Sequence, residues 1–172
     1  MESDAIIQVL SRTVPASGLE RVASGDGMPT LYVSREQLVE TCRALRNTPE
    51  LGFAFLADLL PVDYLPREPR FEIVYLLASL GVAGFGDTPK RLRVKVRVPG
   101  ADPIVSSVAS VWPAAGWSER EAYDLFGIQF TNHPALRRSQ RAPVIDQSDD
   151  AVHEEHAGRA PRHADGLPSL VV

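Results

Sequence analysis

Cysteine is almost absent from this chain of 172 residues, which contains a single one, Cys42. One thiol excludes an internal disulfide, and it excludes an iron–sulfur or zinc site built from several cysteines of this chain. Leu38, Cys42 and Leu45 recur at the spacing of an α-helix. We therefore predict that Cys42 is a buried thiol on the apolar face of a helix and not a nucleophile.

Long apolar runs and an excess of basic residues are also missing. No stretch approaches the roughly 18 apolar residues of a transmembrane helix, and MESDAIIQVL lacks the basic region and apolar core of a signal peptide. The net charge is −4 and no basic block alternates with aromatic residues, which argues against a nucleic-acid-binding protein. A chain of this length can bury about 70% of its unfolded surface, so we expect one main domain. Because a signal peptide and a transmembrane segment are both missing from the sequence, we expect this domain to lie in the cytoplasm.

Hydrophobic periodicity predicts an α+β fold, in which a small mixed or antiparallel sheet packs with a few helices and a polar tail follows. A capping box at Ser34 and Gln37 predicts a helix start, and Asn47 a helix end. The remaining predictions are a helix or a strand at 5–14, a hairpin of 19–23 with 30–33, a buried strand or core helix at 51–65, strands at 71–79 and 91–98, and a helix at 103–112.

The segment 91–98 has the clearest pattern. It alternates strictly between apolar and basic residues, which is typical of a half-buried antiparallel strand with a basic outer face. The inward set is Leu92, Val94, Val96 and Val98, and the outward set is Arg91, Arg93, Lys95 and Arg97.

The segment from Trp117 to Arg138, WSEREAYDLFGIQFTNHPALRR, concentrates charged groups. Ser118 and Glu121 have the spacing of a capping box, which predicts a helix start with acidic residues in its first turn. Arg120 and Asp124 are four apart and are expected to pair on one helix face. Gly127 predicts a left-handed helix end, and residues 128–130 a short strand.

Two interpretations of this segment compete. Its acids and its histidine could form an acid/base or metal site, because carboxylates and imidazole serve both chemistries. Their spacing matches no helical metal motif, and no second histidine lies nearby. A capped, ion-paired helix that faces solvent or a partner protein is therefore favoured. The four groups concerned are Glu119, Glu121, Asp124 and His133.

The same segment carries a family signature. Its parts occur in the order Glu119-Arg120-Glu121, Asp124, Phe126-Gly127-Ile128, His133-Pro134 and Leu136-Arg137-Arg138. This order resembles the 30-kDa subunit family of respiratory complex I, whose bacterial members are the C subunits of NADH-quinone oxidoreductase. The resemblance extends over about residues 30–138. Gly116 and Ser118 depart from the family pattern, and so does the chain after Arg138.

The resemblance implies a structural subunit in the peripheral arm of a proton-translocating NADH:quinone oxidoreductase, on the cytoplasmic side of the cell membrane. It implies no cofactor in this chain, with FMN, Fe-S clusters and quinone held by partner subunits. It implies contacts with the quinone-site subunit and the terminal-cluster subunit in a hetero-oligomer, with Arg120, Arg137 and Arg138 pairing with acids of those neighbours. The signature residues expected at such interfaces are Glu119, Arg120, Glu121, Asp124, Phe126, Gly127, His133, Pro134, Arg137 and Arg138.

Two other functions stay open. The same subunit type occurs in related membrane-bound hydrogenases and in ferredoxin- or coenzyme-linked dehydrogenases, and a small stand-alone acid/base enzyme is a further alternative. Two regions are predicted: a 30-kDa-subunit-like domain at 1–138 and a polar, disordered or loosely docked tail at 139–172. Three histidines of the tail could bind metal weakly, although a solvated tail is favoured. They are His153, His156 and His163.

Overall fold

Seven strands and three α-helices follow one another along the described residues 3–15, 18–81 and 89–135 of the computed structural model. A short 3-10 turn at Arg35–Gln37 precedes the second helix. None of the described helices is long and apolar enough to cross a bilayer. The elements are α1 (Ser3–Thr13), β1 (Glu20–Val22), β2 (Thr30–Tyr32), α2 (Leu38–Asn47), β3 (Phe55–Asp63), β4 (Phe71–Leu80), β5 (Pro89–Val98), β6 (Ile104–Ser106), α3 (Ala115–Phe126) and β7 (Gln129–Thr131).

Five of these strands form one mixed sheet, in the order β1-β2-β5-β4-β3. The predicted hairpin of β1 and β2 is confirmed, as is the antiparallel pairing of β4 with β5. The prediction that β5 is an antiparallel strand is wrong on its other side, where it pairs in parallel with β2. The reason is that α2 carries the chain from β2 to the far edge, and the β3-β4-β5 meander then returns it in the direction of β2.

The inner face of the sheet and the helices enclose the hydrophobic core. Leu92, Val94, Val96 and Val98 of β5 are fully buried, as their alternation predicts. Cys42 of α2 is also buried and free, which confirms the predicted thiol on an apolar helix face. Its burial, and secondarily a nearby carboxylate, raises the pKa of the Cys42 thiol, so the thiol stays protonated.

The outer face of β5 is basic in sequence but largely neutralised in the structure. The Arg93 guanidinium, with help from the Ser24 hydroxyl, holds the pKa of the Asp26 carboxyl well below its ordinary range. A charge-neutral face offers little attraction to polyanions. The ion pairs are Arg93 with Asp26 at 2.6 Å, Lys95 with Glu72 at 2.8 Å and Arg97 with Glu20 at 3.0 Å.

The segment 51–65 forms β3 at the edge of the sheet, so the strand alternative is confirmed and the core-helix alternative is wrong. The predicted burial is right for only one face. Leu56 and Leu59 are buried on the inner face, whereas Phe55 and Leu60 remain 51% and 43% exposed on the outer face. A strand whose outer face lies open to solvent cannot bury both sets of side chains.

The predicted helix at 103–112 is wrong. Residues 104–106 form β6, which pairs in parallel with β7, and turns follow up to Trp112. The Gln129 N–H donates to the Pro103 carbonyl at 2.7 Å, and the Ser107 N–H donates to the Thr131 carbonyl at 2.9 Å. The β-branched residues that suggested one helical face therefore divide between a strand and a turn.

The helix start at Ser34 differs from its prediction as well. Ser34 is extended and precedes the 3-10 turn, but its side chain makes no capping hydrogen bond. Instead, the Gln37 N–H donates to the Ser34 carbonyl at 3.2 Å. The predicted end is confirmed, because α2 stops at Asn47 and Thr48 is extended.

Candidate functional site: the two faces of α3

Helix α3 begins one turn earlier than its sequence predicts. It starts at Ala115, and the Ala115 N–H donates to the Trp112 carbonyl at 2.9 Å. Ser118 therefore lies inside the helix, so the predicted capping box does not form and the first turn contains no acidic residue. The predicted end is confirmed: Gly127 has φ +72° and its N–H donates to the Tyr123 carbonyl at 3.0 Å.

The inner face of α3 contains one acid among small and aromatic residues. Ala115, Glu119 and Ala122 are fully buried, and Phe126 packs partly buried against the core. These positions are i, i+4, i+7 and i+11, which form one stripe of a helix. The prediction that the charged helix faces solvent or a partner is therefore wrong for Glu119.

The Glu119 carboxylate is held by groups of the β6–α3 connection. The Ser107 hydroxyl donates to Oε2 at 2.6 Å, and the Val108 N–H donates to Oε1 at 2.7 Å. Burial raises the pKa of Glu119 above its ordinary value, although both hydrogen bonds and nearby His133 oppose this shift. A charge-assisted pair of hydrogen bonds at this depth fixes the connection against α3.

His133 attaches the chain after β7 to the same helix. The Ala135 N–H donates to Nδ1 at 3.0 Å, so Nδ1 is the unprotonated nitrogen and Nε2–H donates to the Gly116 carbonyl at 2.8 Å. Nε2 lies 3.7 Å from Oε2 of Glu119, and the side chain is 2% exposed. These contacts hold the imidazole in a structural position between α3 and the chain after β7.

Arg120 makes a second attachment to this segment. Its Nη2 donates to the Ala135 carbonyl at 2.6 Å. The predicted Arg120–Asp124 pair does not form among the described residues, because the guanidinium turns towards residue 135. In Glu119-Arg120-Glu121, the first carboxylate is therefore buried, the guanidinium binds the chain at residue 135, and the second carboxylate is exposed.

The outer face of α3 combines apolar and acidic groups. Trp117 is 77% exposed and Leu125 is 70% exposed, the two largest values among the large hydrophobic residues of the described region. Glu121 and Asp124 are exposed as well and form no ion pair within the part of the chain that the structure describes. These positions are i, i+4, i+7 and i+8, so they share one face. We call Trp117, Glu121, Asp124 and Leu125 the α3 outer face.

The four candidate acid/base or metal groups are divided between these two faces. Glu119 and His133 meet in the interior, whereas Glu121 and Asp124 project from the opposite side of α3. Within residues 3–15, 18–81 and 89–135, no cluster of three or more His, Cys, Asp or Glu side chains could hold a metal ion. The arrangement can therefore anchor elements and present a surface, but it does not assemble one site from all four groups.

The other predicted residues have varied positions. Pro134 is exposed beside the buried imidazole of His133. Arg137, Arg138 and the three histidines of the tail lie outside the described residues, and predictions about them stay predictions. Sequence reasoning missed Ser107 as a partner of Glu119, and no local signal links two residues that are 12 apart. It also missed Trp117 and Leu125, although their i, i+8 spacing, with two acids on the same helix face between them, is visible in the sequence.

Comparison with known proteins agrees with the resemblance. Residues 31–148 match the model of a family described as the respiratory-chain NADH dehydrogenase, 30 Kd subunit. The chain belongs to this family. The match begins at about the residue where the signature-based resemblance begins, and it runs to residue 148, ten residues past Arg138. The predicted division into a domain at 1–138 and a tail at 139–172 stays a prediction.

Curated members of the 30-kDa subunit family are similar over the same region. The NADH-quinone oxidoreductase C subunit of Roseiflexus sp. (strain RS-1) is 47% identical over 109 residues, which cover 63% of this chain. The second such C subunit of Rhizobium meliloti (strain 1021) is 44% identical over 120 residues, which cover 70% of this chain. The chain spans only 59% and 62% of the lengths of these two relatives.

Solved structures of similar proteins have the same fold. A trypsin-resistant fragment (1-134) of Nqo5 is 37% identical, with a TM-score of 0.63, and the alignment covers 76% of this chain and 99% of the fragment. A chain of the membrane-bound sulfane sulfur reductase, an archaeal respiratory membrane complex, has a TM-score of 0.62 at 21% identity. This alignment covers 79% of our chain and 74% of that chain. At this identity, the second likeness concerns the fold alone.

Proposed function

We propose that this chain is a structural subunit of the peripheral arm of a proton-translocating NADH:quinone oxidoreductase, on the cytoplasmic side of the membrane. In this proposal it binds no cofactor itself, and FMN, Fe-S clusters and quinone belong to its partner subunits. Electrons pass from NADH to quinone through those partners. Its own contribution is to hold the quinone-site subunit and the terminal-cluster subunit in position.

The observation that carries this proposal is the division of the signature between two faces of α3. Glu119 and His133 are used inside the chain, whereas Glu121 and Asp124 are exposed without an ion pair in the described region. Aromatic side chains such as that of Trp117 are enriched at protein interfaces, where polar groups form the rim around them. This arrangement supports a docking role. The separation of the buried His133 side chain from exposed Glu121 and Asp124 argues against a stand-alone acid/base enzyme that uses these three groups.

The structure changes which side chains are expected at the interface. The Arg120 guanidinium donates a hydrogen bond to the Ala135 carbonyl, so Arg120 is a weaker candidate for an ion pair with an acid of a partner subunit than the sequence alone suggests. The carboxylates of Glu121 and Asp124, which have no ion pair among the described residues, instead favour basic groups on the partner. Arg137 and Arg138 remain proposed contacts to acids of neighbouring subunits, since arginine suits bidentate pairing with carboxylates.

A tagged pull-down from detergent-solubilised membranes of the host tests the function. We expect the tagged chain to bring down subunits that contain flavin and clusters, together with NADH-dependent quinone reduction. Recovery with hydrogenase or ferredoxin-linked activity would assign the subunit to one of the related complexes. A chain that comes down alone would contradict the proposal, as would intrinsic acid/base activity that is lost in Glu121→Gln.

The α3 outer face is tested by reversing its charges. The double variant Glu121→Lys, Asp124→Lys is expected to lower the recovered NADH-dependent activity at least tenfold, because a mispaired charge at a buried interface costs about 2–5 kcal/mol. The matched control is Glu36→Lys, Glu40→Lys, which makes the same charge change on exposed residues before and within α2. Equal recovery of both variants would remove the α3 outer face from the interface.

A further inference from the structure

The outer face of the sheet contains an apolar surface that no described element covers. On β3, Phe55 and Leu60 are about half exposed, and Val62 is partly exposed beside them. On β4, Leu76 and Ala78 are partly exposed on the same side. We call these five residues the open sheet patch.

Strand register defines the layout of the open sheet patch. Phe55 lies beside Ala78, and Leu60 lies beside Val74 in the adjacent strand. Side chains directly opposite each other on one sheet face are in contact distance, so the patch is continuous across β3 and β4. Contiguous apolar surface of this kind marks interaction sites in folded proteins.

Two charges without an ion pair among the described residues accompany the open sheet patch, one beside it on β5 and one within it on β3, between Phe55 and Leu60. Arg91 on β5 is the register partner of Ala78, and Asp58 on β3 is the register partner of Leu76. Both are exposed, and neither has an ion pair within the described residues. Asp58 accepts one hydrogen bond, from the Leu59 N–H at 2.8 Å.

These two charges differ from the others on the same face. The next three basic residues of β5 are each paired within the chain, as described above. Arg91 is therefore the cation of this row that has no ion pair in the part of the chain that the structure describes, and Asp58 is the matching anion at the sheet edge. A surface that binds here must place an acid opposite Arg91, a base opposite Asp58 and apolar side chains between them.

We propose that the open sheet patch is a second docking surface, separate from the α3 outer face in its residues and its chemistry. Its occupant is an apolar surface of another oxidoreductase subunit, bordered by one acidic and one basic side chain. This inference rests on the proposed function, because that function supplies a heterologous partner. Apolar burial provides the affinity, and the two charges fix the orientation.

Photo-crosslinking from position 60 identifies the occupant. The full-length tagged chain, with a photoreactive phenylalanine analogue replacing Leu60, is irradiated in the purified oxidoreductase. We expect an adduct with one oxidoreductase subunit and none from the same analogue at Glu36. An adduct with a second copy of this chain or with its own residues 139–172 would overturn the inference, and so would the absence of an adduct.

A charge exchange tests the complementarity without changing net charge or apolar area. The variant Asp58→Lys, Arg91→Glu is expected to lower recovery of the oxidoreductase at least tenfold while the purified chain unfolds at the temperature of the wild type. The exchange Glu40→Arg, Arg43→Glu on α2, which reverses an exposed ion pair, is the control. Full recovery with the sheet variant beside a functional wild-type pull-down overturns this inference and leaves the proposed function intact. A wild-type chain that recovers no oxidoreductase overturns both.

Discussion

Glu119 illustrates how a charged signature residue can serve the fold. Its carboxylate lies in the interior, where it accepts hydrogen bonds from Ser107 and Val108 and lies 3.7 Å from Nε2 of His133. Removing a buried acceptor leaves its donors without partners, which costs about 1–3 kcal/mol for each donor. The residue is therefore expected to matter for the stability of the isolated chain, before any partner is present.

The raised pKa of Glu119 predicts a specific dependence of stability on pH. From the ordinary value of 4.5 up to the raised folded pKa, the folded protein retains a proton that the unfolded chain releases. The free energy of unfolding therefore falls as pH rises through this range, by at most about 1.36 kcal/mol per pH unit. Urea unfolding of the wild type between about pH 4 and pH 8 should show this loss, and Glu119→Gln should lack it.

The difference between wild type and Glu119→Gln is needed because other acids act in the opposite direction. Asp26 and Asp63 have lowered pKa values, caused chiefly by hydrogen bonds from Arg93 and Arg70. Their stabilising contributions are present above the ordinary value of 3.8 and are lost as pH falls. The contributions of Asp26 and Asp63 are the same in the wild type and in Glu119→Gln, so they cancel when the two free energies of unfolding are subtracted. Identical pH profiles for wild type and variant would contradict the assignment to Glu119.

At the scale of the element, α3 is specified by its end more clearly than by its start. Gly127 adopts a left-handed conformation that other residues adopt only at a cost, so its sequence signal is local and unambiguous. The start of α3 depends on the turn at 112–114 and on the burial of Glu119, and because of these contacts the helix begins before Ser118. A capping-box sequence no longer marks the first residue of a helix when tertiary contacts extend the helix beyond it.

Two glycines of α3 provide a matched pair of substitutions. Gly127→Ala is expected to destabilise the chain by roughly 1–2 kcal/mol, because φ +72° is unfavourable for a residue with a Cβ. Gly116→Ala should cause no loss and a gain of up to about 1 kcal/mol, because alanine favours a helix and its Cβ would lie 3.6 Å from Nε2 of His133. Chemical denaturation of both variants measures the two effects. Equal stabilities would contradict the capping role of Gly127.

The strands show how the environment of an element modifies its pattern. β5 was recognised because its two faces have different surroundings, a core and an ion-paired surface, and strict alternation follows from that difference. The sequence of β6 does not identify it as a strand, because it is three residues long and its partner β7 lies more than 20 residues ahead. A short strand receives its hydrogen bonds from distant residues, and no local period reports them.

At the scale of the whole molecule, the region that this chain shares with its relatives is only part of the length of those proteins. The relatives described above extend beyond the length that this chain matches. The described core of residues 3–15, 18–81 and 89–135 supplies two chemically distinct surfaces, the α3 outer face and the open sheet patch. A protein that joins neighbours needs at least two such surfaces.

Limited trypsin digestion tests the predicted division into a domain and a polar tail. We expect early cleavage at Arg141, Arg159 and Arg162, because a sequence with few apolar residues cannot bury enough surface to form a packed core. The basic residues of β5 should resist, because this strand pairs with neighbours on both sides. Mass spectrometry over a time course identifies the products, and cleavage within β5 at the rate of the tail would contradict the division.

The sequence alone determined the family, the α+β class, the buried thiol and the alternation of β5, because each depends on local spacing or on a long specific signature. The tertiary structure decided which signature residues face inward. Glu119 and Glu121 are two positions apart and chemically alike, yet one accepts buried hydrogen bonds from Ser107 and Val108 and the other is exposed. That distinction depends on where the β6–α3 connection packs against the helix, and hydrogen bonds between distant segments leave no periodic trace in a sequence.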